Sequence, residues 1–403
     1  MSNRPWPWLR PRVDRHVAPV PAAQLSRTID FARIALIVGL VFLHYGMYPN
    51  FRLSPFGGMS VNEYEVATFV NSFLLFFFLS VVPLLSMISG WLFFSFLNAA
   101  QSEPGAALSN RIRRRFTSLY LPLLVWNLLY LSVLLVVFAR SPVHPLLPAL
   151  NIDFATAGPW QYFNAVFAIV HHPVAFQFWF VRDLFLTVLL SPVLWLMLKR
   201  LPLTGAVVLA GVWLVNYDLE IFFRPDVLFF FYLGGLVRSR RMDVGISQRA
   251  TILLVVAYLL IVAARAMAPY MIDEPTPMLG AMTRTMRLVG VLACWGLFLR
   301  LAESSVGEKI ARWGPFAFFL HATHFPLMAQ IKLVLWKLLP EINDFWMVAH
   351  YLVCVLLTIL LCLGTGALLA RYLPAMFSLL NGGRLPAARH PPVNGGSLFG
   401  SDR

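Results

Sequence analysis

The chain has 403 residues, 59% of them hydrophobic and only 12% charged, with a mean hydropathy of +0.72. A soluble domain carries roughly twice that share of charge, so the composition implies a polytopic membrane protein and excludes a soluble enzyme. The formal net charge of +14 would suit a nucleic-acid partner. The basic residues nevertheless alternate in abundance from loop to loop, the positive-inside pattern of a multi-pass protein, so no nucleic-acid partner is expected.

Residues 1–28 are rich in Pro and Arg without helical periodicity and read as a disordered cytoplasmic lead. The run from Ile29 to Pro49 has the length of about 20 residues needed to cross a bilayer, and no cleavage pattern follows it. Arg33 and His44 interrupt this run. Their separation of eleven residues is close to a whole number of turns, which places both on one helix face, ~16 Å apart along the axis. Asp30 shares that face and can pair with Arg33. An ionisable stripe inside a span is a functional hypothesis by default. A second reading is equally open: Arg33 snorkels to headgroups and His44 bonds a neighbouring helix.

An outer loop (50–66) precedes a long apolar stretch, 67–98, which Pro83 and Gly90 are expected to kink. After the inner cluster Arg111, Arg113, Arg114 and Arg115 comes a span at 116–138, then the longest outer loop, 139–175, with His144, His171 and His172. Further spans are expected at 177–198, 203–216, 222–237, 250–268, 280–299, 313–339 and 346–370. A Gly/Pro/Arg-rich tail follows, in which Arg384 is expected to lie apart from any site. The fold class is therefore all-α: a helical bundle of about ten transmembrane helices over 29–372. Disordered segments, 1–28 and 373–403, flank it, both termini are cytoplasmic, and no further domain is appended. No inverted repeat of the transporter kind is visible.

Four more constellations carry chemistry. Arg111, Arg114 and Arg115 can hold phosphates through charge-assisted hydrogen bonds, or can be a topology signal touching anionic lipid. Trp179, Arg182 and Asp183 open the span at 177–198. An interfacial aromatic belt accounts for Trp179, while the two charges point to different sides of a helix, so each is expected to need its own partner. His321 and His324 share a face at i,i+3 but have no third ligand nearby, so no metal site is expected. Arg284 and Arg287, also i,i+3, either grip an anionic acceptor or snorkel. Cys294, Cys354 and Cys362 lie in apolar runs and read as small core residues.

Together these pieces resemble the membrane acyltransferase-3 family. Arg33, ten residues, then His44 matches the R-x10-H signature of its first helix. The segment PLLSMISGWLFF (83–94), with Ser89 and Gly90, is similar to its second-helix element. FWFVRDLF (178–185) resembles its WFLRDLF-like segment, and HATHFPLM (321–328) its late Tyr-x-x-His-x-Pro element, with His321 in place of Tyr. The basic pair Arg111-x-x-Arg114 is followed by Pro122 eight residues later, farther than the family's pattern has it.

The resemblance implies transfer of an acyl group, usually acetyl, from cytosolic acyl-CoA to a hydroxyl of an exported or lipid-linked carbohydrate. It implies a bacterial inner-membrane location and acetyl-CoA (acyl-CoA) as a donor substrate, with no permanently bound cofactor. In that frame His44 is the general base, since histidine titrates nearest neutral pH, His324 either orients His44 or contacts the acceptor, and Arg33 counts with them among the catalytic residues. Arg33, Asp30, Arg111, Arg114 and Arg115 form the donor site, while Trp179, Arg182, Asp183, Arg284, Arg287 and His321 contact or support the acceptor. A transporter or flippase is the alternative, which the missing repeat disfavours.

Overall fold

The computed structural model describes residues 20–46, 64–98, 104–142, 152–268 and 276–386. Most of the expected disordered lead, most of the loop 50–66, His144 and the tail from 387 lie outside the described residues. Every regular element among the described residues is helical. The elements are α1 (Ala22–Tyr45), α2 (Glu65–Phe78), α3 (Val81–Phe93), α4 (Pro104–Arg115), α5 (Leu121–Arg140), α6 (Pro159–Phe167), α7 (Trp179–Leu189) and α8 (Ser191–Arg200). They continue with α9 (Pro202–Leu214), α10 (Pro225–Ser239), α11 (Gln248–Met267), α12 (Pro277–Leu301), α13 (Ser305–Ala311), α14 (Ala317–Trp336), α15 (Asp344–Tyr372) and α16 (Pro374–Leu380).

Seven helical stretches among the described residues are long and apolar enough to cross a membrane, and α7 with α8, bent by 57°, makes up to eight. The expected ten are not reached because α9 (13 residues) and α10 (15 residues) fall short of the ~20 a bilayer requires. α10 is instead an interior helix, with every residue from Pro225 to Tyr232 buried. Its contact with α3 is backbone on backbone. A Cβ at Gly90 would collide with the Phe231 carbonyl, and one at Gly234 with the Met87 carbonyl. Gly90 is thus a close-approach position, and the bend expected there lies elsewhere.

The stretch 65–97 does break, at Leu79–Ser80 between α2 and α3. Pro83 explains that position, because its ring clashes with the carbonyl four residues earlier and its missing N–H leaves that carbonyl without a helical donor. The 139–175 segment is also more ordered than a loop, since it contains α6. The ordered chain is longer than 29–372 at both ends. α1 begins at Ala22 with Thr28 buried, and α16 follows the last long helix with Phe377 packed between Phe316 and Phe319.

Candidate active site

α1 carries Arg33 at its middle and His44 eleven residues further on. His44 lies in the last turn of the helix, where up to four carbonyls lack intrahelical donors. Three neighbours supply them. Tyr351 Oη donates to Phe42 O (3.1 Å), Lys332 Nζ to Tyr45 O (2.6 Å), and Asn71 Nδ2 to Gly46 O (3.0 Å). The Lys332 cation also suits the negative end of the helix dipole and sits 4.2 Å from the Tyr45 ring centroid. Tyr45 Oη is 2.8 Å from His350 Nδ1, and His350 Nε2 donates to Lys332 O (3.2 Å). The backbone under His44 is therefore pinned by α2, α14 and α15 together.

The side chain of His44 meets α14. Its Nδ1 lies 2.7 Å from His324 Nε2, and the two rings are parallel to within 1° with centroids 5.0 Å apart, so the bond lies in both ring planes. His324 Nδ1 is 3.1 Å from the Leu320 carbonyl, which can only accept. His324 therefore carries its proton on Nδ1 and accepts at Nε2. His44 must then donate from Nδ1, which leaves its Nε2 lone pair free. Phe176 (6.1 Å) and Phe325 (5.9 Å) flank the His44 ring edge-on. His44 is half-buried, whereas His324 is fully buried.

Pro326 shapes this part of α14. It cannot donate to Ala322 O, and Gln177 Nε2 occupies that carbonyl at 2.7 Å. Gln177 Oε1 and both ring nitrogens of His321 are buried without a hydrogen bond of normal geometry among the described residues. His321 lies 5.8 Å from the His324 ring, with Phe178 at 5.6 Å. Three unsatisfied polar atoms beside the histidine pair give the site the means to bind a polar group.

The remaining predicted residues divide by what they touch. Arg182 and Asp183 pair with each other at 2.9 Å, contrary to the expectation that each needs its own partner. A guanidinium is long enough to fold back onto the adjacent carboxylate. Arg182 also donates to Ala168 O (2.9 Å), Ile169 O (2.5 Å) and Ile221 O, and Asp183 Oδ2 accepts from the Arg224 backbone N–H (2.9 Å). These two residues thus tie the α6–α7 turn and the turn before α10 to the bundle. Arg287 pairs with Asp226 (2.7 Å), which also accepts from Trp213 Nε1 (2.8 Å). Arg284 is half-buried with no ion pair among the described residues. Trp179 lies under the Arg224 guanidinium, 5.3 Å from centroid to Cζ. That guanidinium is within electrostatic reach of His44 and donates no hydrogen bond among the described residues.

Eleven residues before His44 on α1, Arg33 pairs with Asp30 (3.1 Å), each side chain 45% exposed. Arg115 comes within electrostatic reach of Arg33. Arg111 is turned away: it donates to Leu92 O (3.0 Å) and Phe93 O (2.9 Å), capping the end of α3. Arg114 is exposed. Arg384, expected to stand apart, is within electrostatic reach of both Arg33 and Arg115.

Sequence reasoning missed Lys332, Gln177, Arg224, Asp226, Tyr45, Asn71 and His350. Lys332 carried a usable signal, an isolated cation inside an apolar run eight residues beyond His324 on the same helix. The others signal nothing until the helices are packed.

No solved structure matches the chain. The chain is similar to the succinoglycan biosynthesis protein ExoH of Rhizobium meliloti (strain 1021), 26% identical over 369 residues that cover 91% of this chain and 95% of the relative. The family model described as an acyltransferase domain matches residues 27–367, which include α1 with its Arg33–His44 stripe and nearly all of α15. The chain therefore belongs to the acyltransferase-3 family and is a membrane acyltransferase.

Proposed function

We propose that this acyltransferase moves a short acyl group, acetyl being the simplest, from cytosolic acyl-CoA to a hydroxyl of an exported or lipid-linked polysaccharide, with His44 as general base. The observation that carries this reading is the polarised chain from Leu320 O through His324 to His44, which leaves Nε2 of His44 unprotonated. A sugar hydroxyl becomes a competent nucleophile only as its proton leaves, and Nε2 is the acceptor for that proton. The hydroxyl oxygen attacks the thioester carbonyl carbon, and the tetrahedral intermediate collapses to the ester by expelling coenzyme A thiolate. His324 shares the positive charge that His44 gains, and the nearby Arg224 cation favours the negative charge that develops on the carbonyl oxygen.

In this reading the Arg33 end faces the cytoplasm and receives the donor's phosphates, as the basic loops favour. The ~16 Å from Arg33 to His44 is comparable to an extended pantetheine arm, so the thioester can reach the far side of the bundle while its phosphates stay behind. The relative's name ties that protein to the synthesis of a glycan, which favours a carbohydrate acceptor here. Purified protein supplied with acetyl-CoA or a longer acyl-CoA and the native polysaccharide should release coenzyme A and form an O-acyl ester visible by NMR. Failure to release coenzyme A with any of these donors would refute the proposal.

A further inference from the structure

The chain beyond α15 folds back onto the Arg33 end, and its anchoring is specific. Trp126 Nε1 donates to Leu380 O (2.9 Å), and Asn381 Nδ2 donates to both Pro315 O and Arg384 O (2.8 Å each). Gly382 and Gly383, at φ 67° and 79°, adopt the left-handed turn that returns the chain toward the bundle. Arg384 then meets the Ser118 carbonyl, in the π-helical turn (116–120) that leads into α5. Arg384 Nη1 donates to it at 3.3 Å and to Asn381 O at 3.0 Å, while Cζ lies 4.9 Å from the Phe318 ring centroid.

Both backbone bonds use Nη1, so Nε and Nη2 of Arg384 have no partner among the described residues. Arg33 and Arg115 lie within electrostatic reach of it. Among the described residues Arg115 makes neither an ion pair nor a hydrogen bond, and no carboxylate but Asp30, paired with Arg33, is bonded to any of the three. Burial, then the charges of Arg115 and Arg33, pull the Arg384 guanidinium down to about 10, so it stays charged at neutral pH while paying an electrostatic cost. Three guanidinia within electrostatic reach of one another, of which only Arg33 has a carboxylate partner among the described residues, and an open donor fork on Arg384 make a site for a multiply charged anion.

We propose that Arg384 is a third cation of the donor site, binding a phosphate of the acyl-CoA, and that the segment after α15 forms one wall of that site. The assignment rests on the acyl-CoA reading above and extends it to a residue beyond the matched region 27–367.

The test is coenzyme A binding to the purified full-length protein by titration calorimetry, with melting temperature as a check on folding. Arg384→Ala and Arg384→Gln should each weaken coenzyme A about tenfold, as the loss of one charge-assisted phosphate contact does. Arg249→Ala, on an exposed surface position, should bind as wild type. Glutamine keeps a neutral donor for Ser118 O and Asn381 O, so a mere latch would survive Arg384→Gln. Wild-type affinity in Arg384→Gln, with Arg33→Ala and Arg115→Ala weakened, would overturn this proposal and leave the donor reading intact. Wild-type affinity in all three would refute the donor reading and this proposal with it.

Discussion

Replacing His324 by Phe removes the acceptor for His44 Nδ1–H while filling the same volume, and its effect can be worked from the structure. In the native site the 2.7 Å bond selects one tautomer of His44 before the reaction and becomes charge-assisted once His44 is protonated. A hydrogen bond to a charged group contributes about 1.5–3 kcal/mol, and that contribution is lost only as the proton moves. The expected fall in kcat is therefore ~10- to ~150-fold, with the KM for the acyl donor little changed, because the proposed phosphate site at Arg33 lies eleven residues from His44 along α1. The assay is acyl transfer by the purified protein under saturating donor, with ester formation followed by radiolabel. His324→Gln, which can still accept a bond, should lie between the wild type and Phe. A kcat within twofold of wild type in His324→Phe would show that the pair is ordinary interhelical packing.

Three further outcomes follow from the same arrangement. Arg33→Ala and Arg115→Ala should each raise the donor KM about tenfold, with Arg249→Ala unchanged; equal, negligible effects would return Arg33 to the role of a membrane anchor. A reporter fused after Arg140, at the end of α5, should lie outside the cytoplasm, and cytoplasmic activity of that fusion would overturn the topology. Gly90→Ala should lower thermal stability by about 1–3 kcal/mol, since its Cβ would overlap the Phe231 carbonyl on α10. An unshifted unfolding midpoint in detergent would mean that α3 and α10 can separate at no cost.

Much of this was legible in the sequence because the bilayer imposes a strict length and polarity code. The all-helical class follows from apolar runs, and Arg33 and His44 were visible as intruders in one. Their shared face follows from helical spacing alone. The span count was less legible. α10 is apolar yet short, and its burial against α3 depends on Gly90 and Gly234, two residues 144 positions apart that no local pattern connects. The Arg182–Asp183 pair is invisible to a helical wheel, which places backbones and not the tips of long side chains. Arg111 stood out as part of a cluster, but its bonds to the end of α3 depend on tertiary packing. The described part of the tail, 373–386, departs from its composition for a physical reason. Its Gly and Pro content suits disorder, but here Gly382 and Gly383 serve a tight return turn, and Pro374 starts α16. The role of Pro326 was invisible as well, because the carbonyl it frees is satisfied by Gln177, 145 residues away in sequence.

The most direct measurement of the central claim is acyl transfer by His44→Gln. Glutamine preserves size and a hydrogen bond to His324 but cannot accept the proton of a hydroxyl at neutral pH. The account predicts a loss of ~100-fold or more in product formation, with protein level and coenzyme A binding retained. Transfer at a near wild-type rate in that variant would contradict the assignment of His44 as the base.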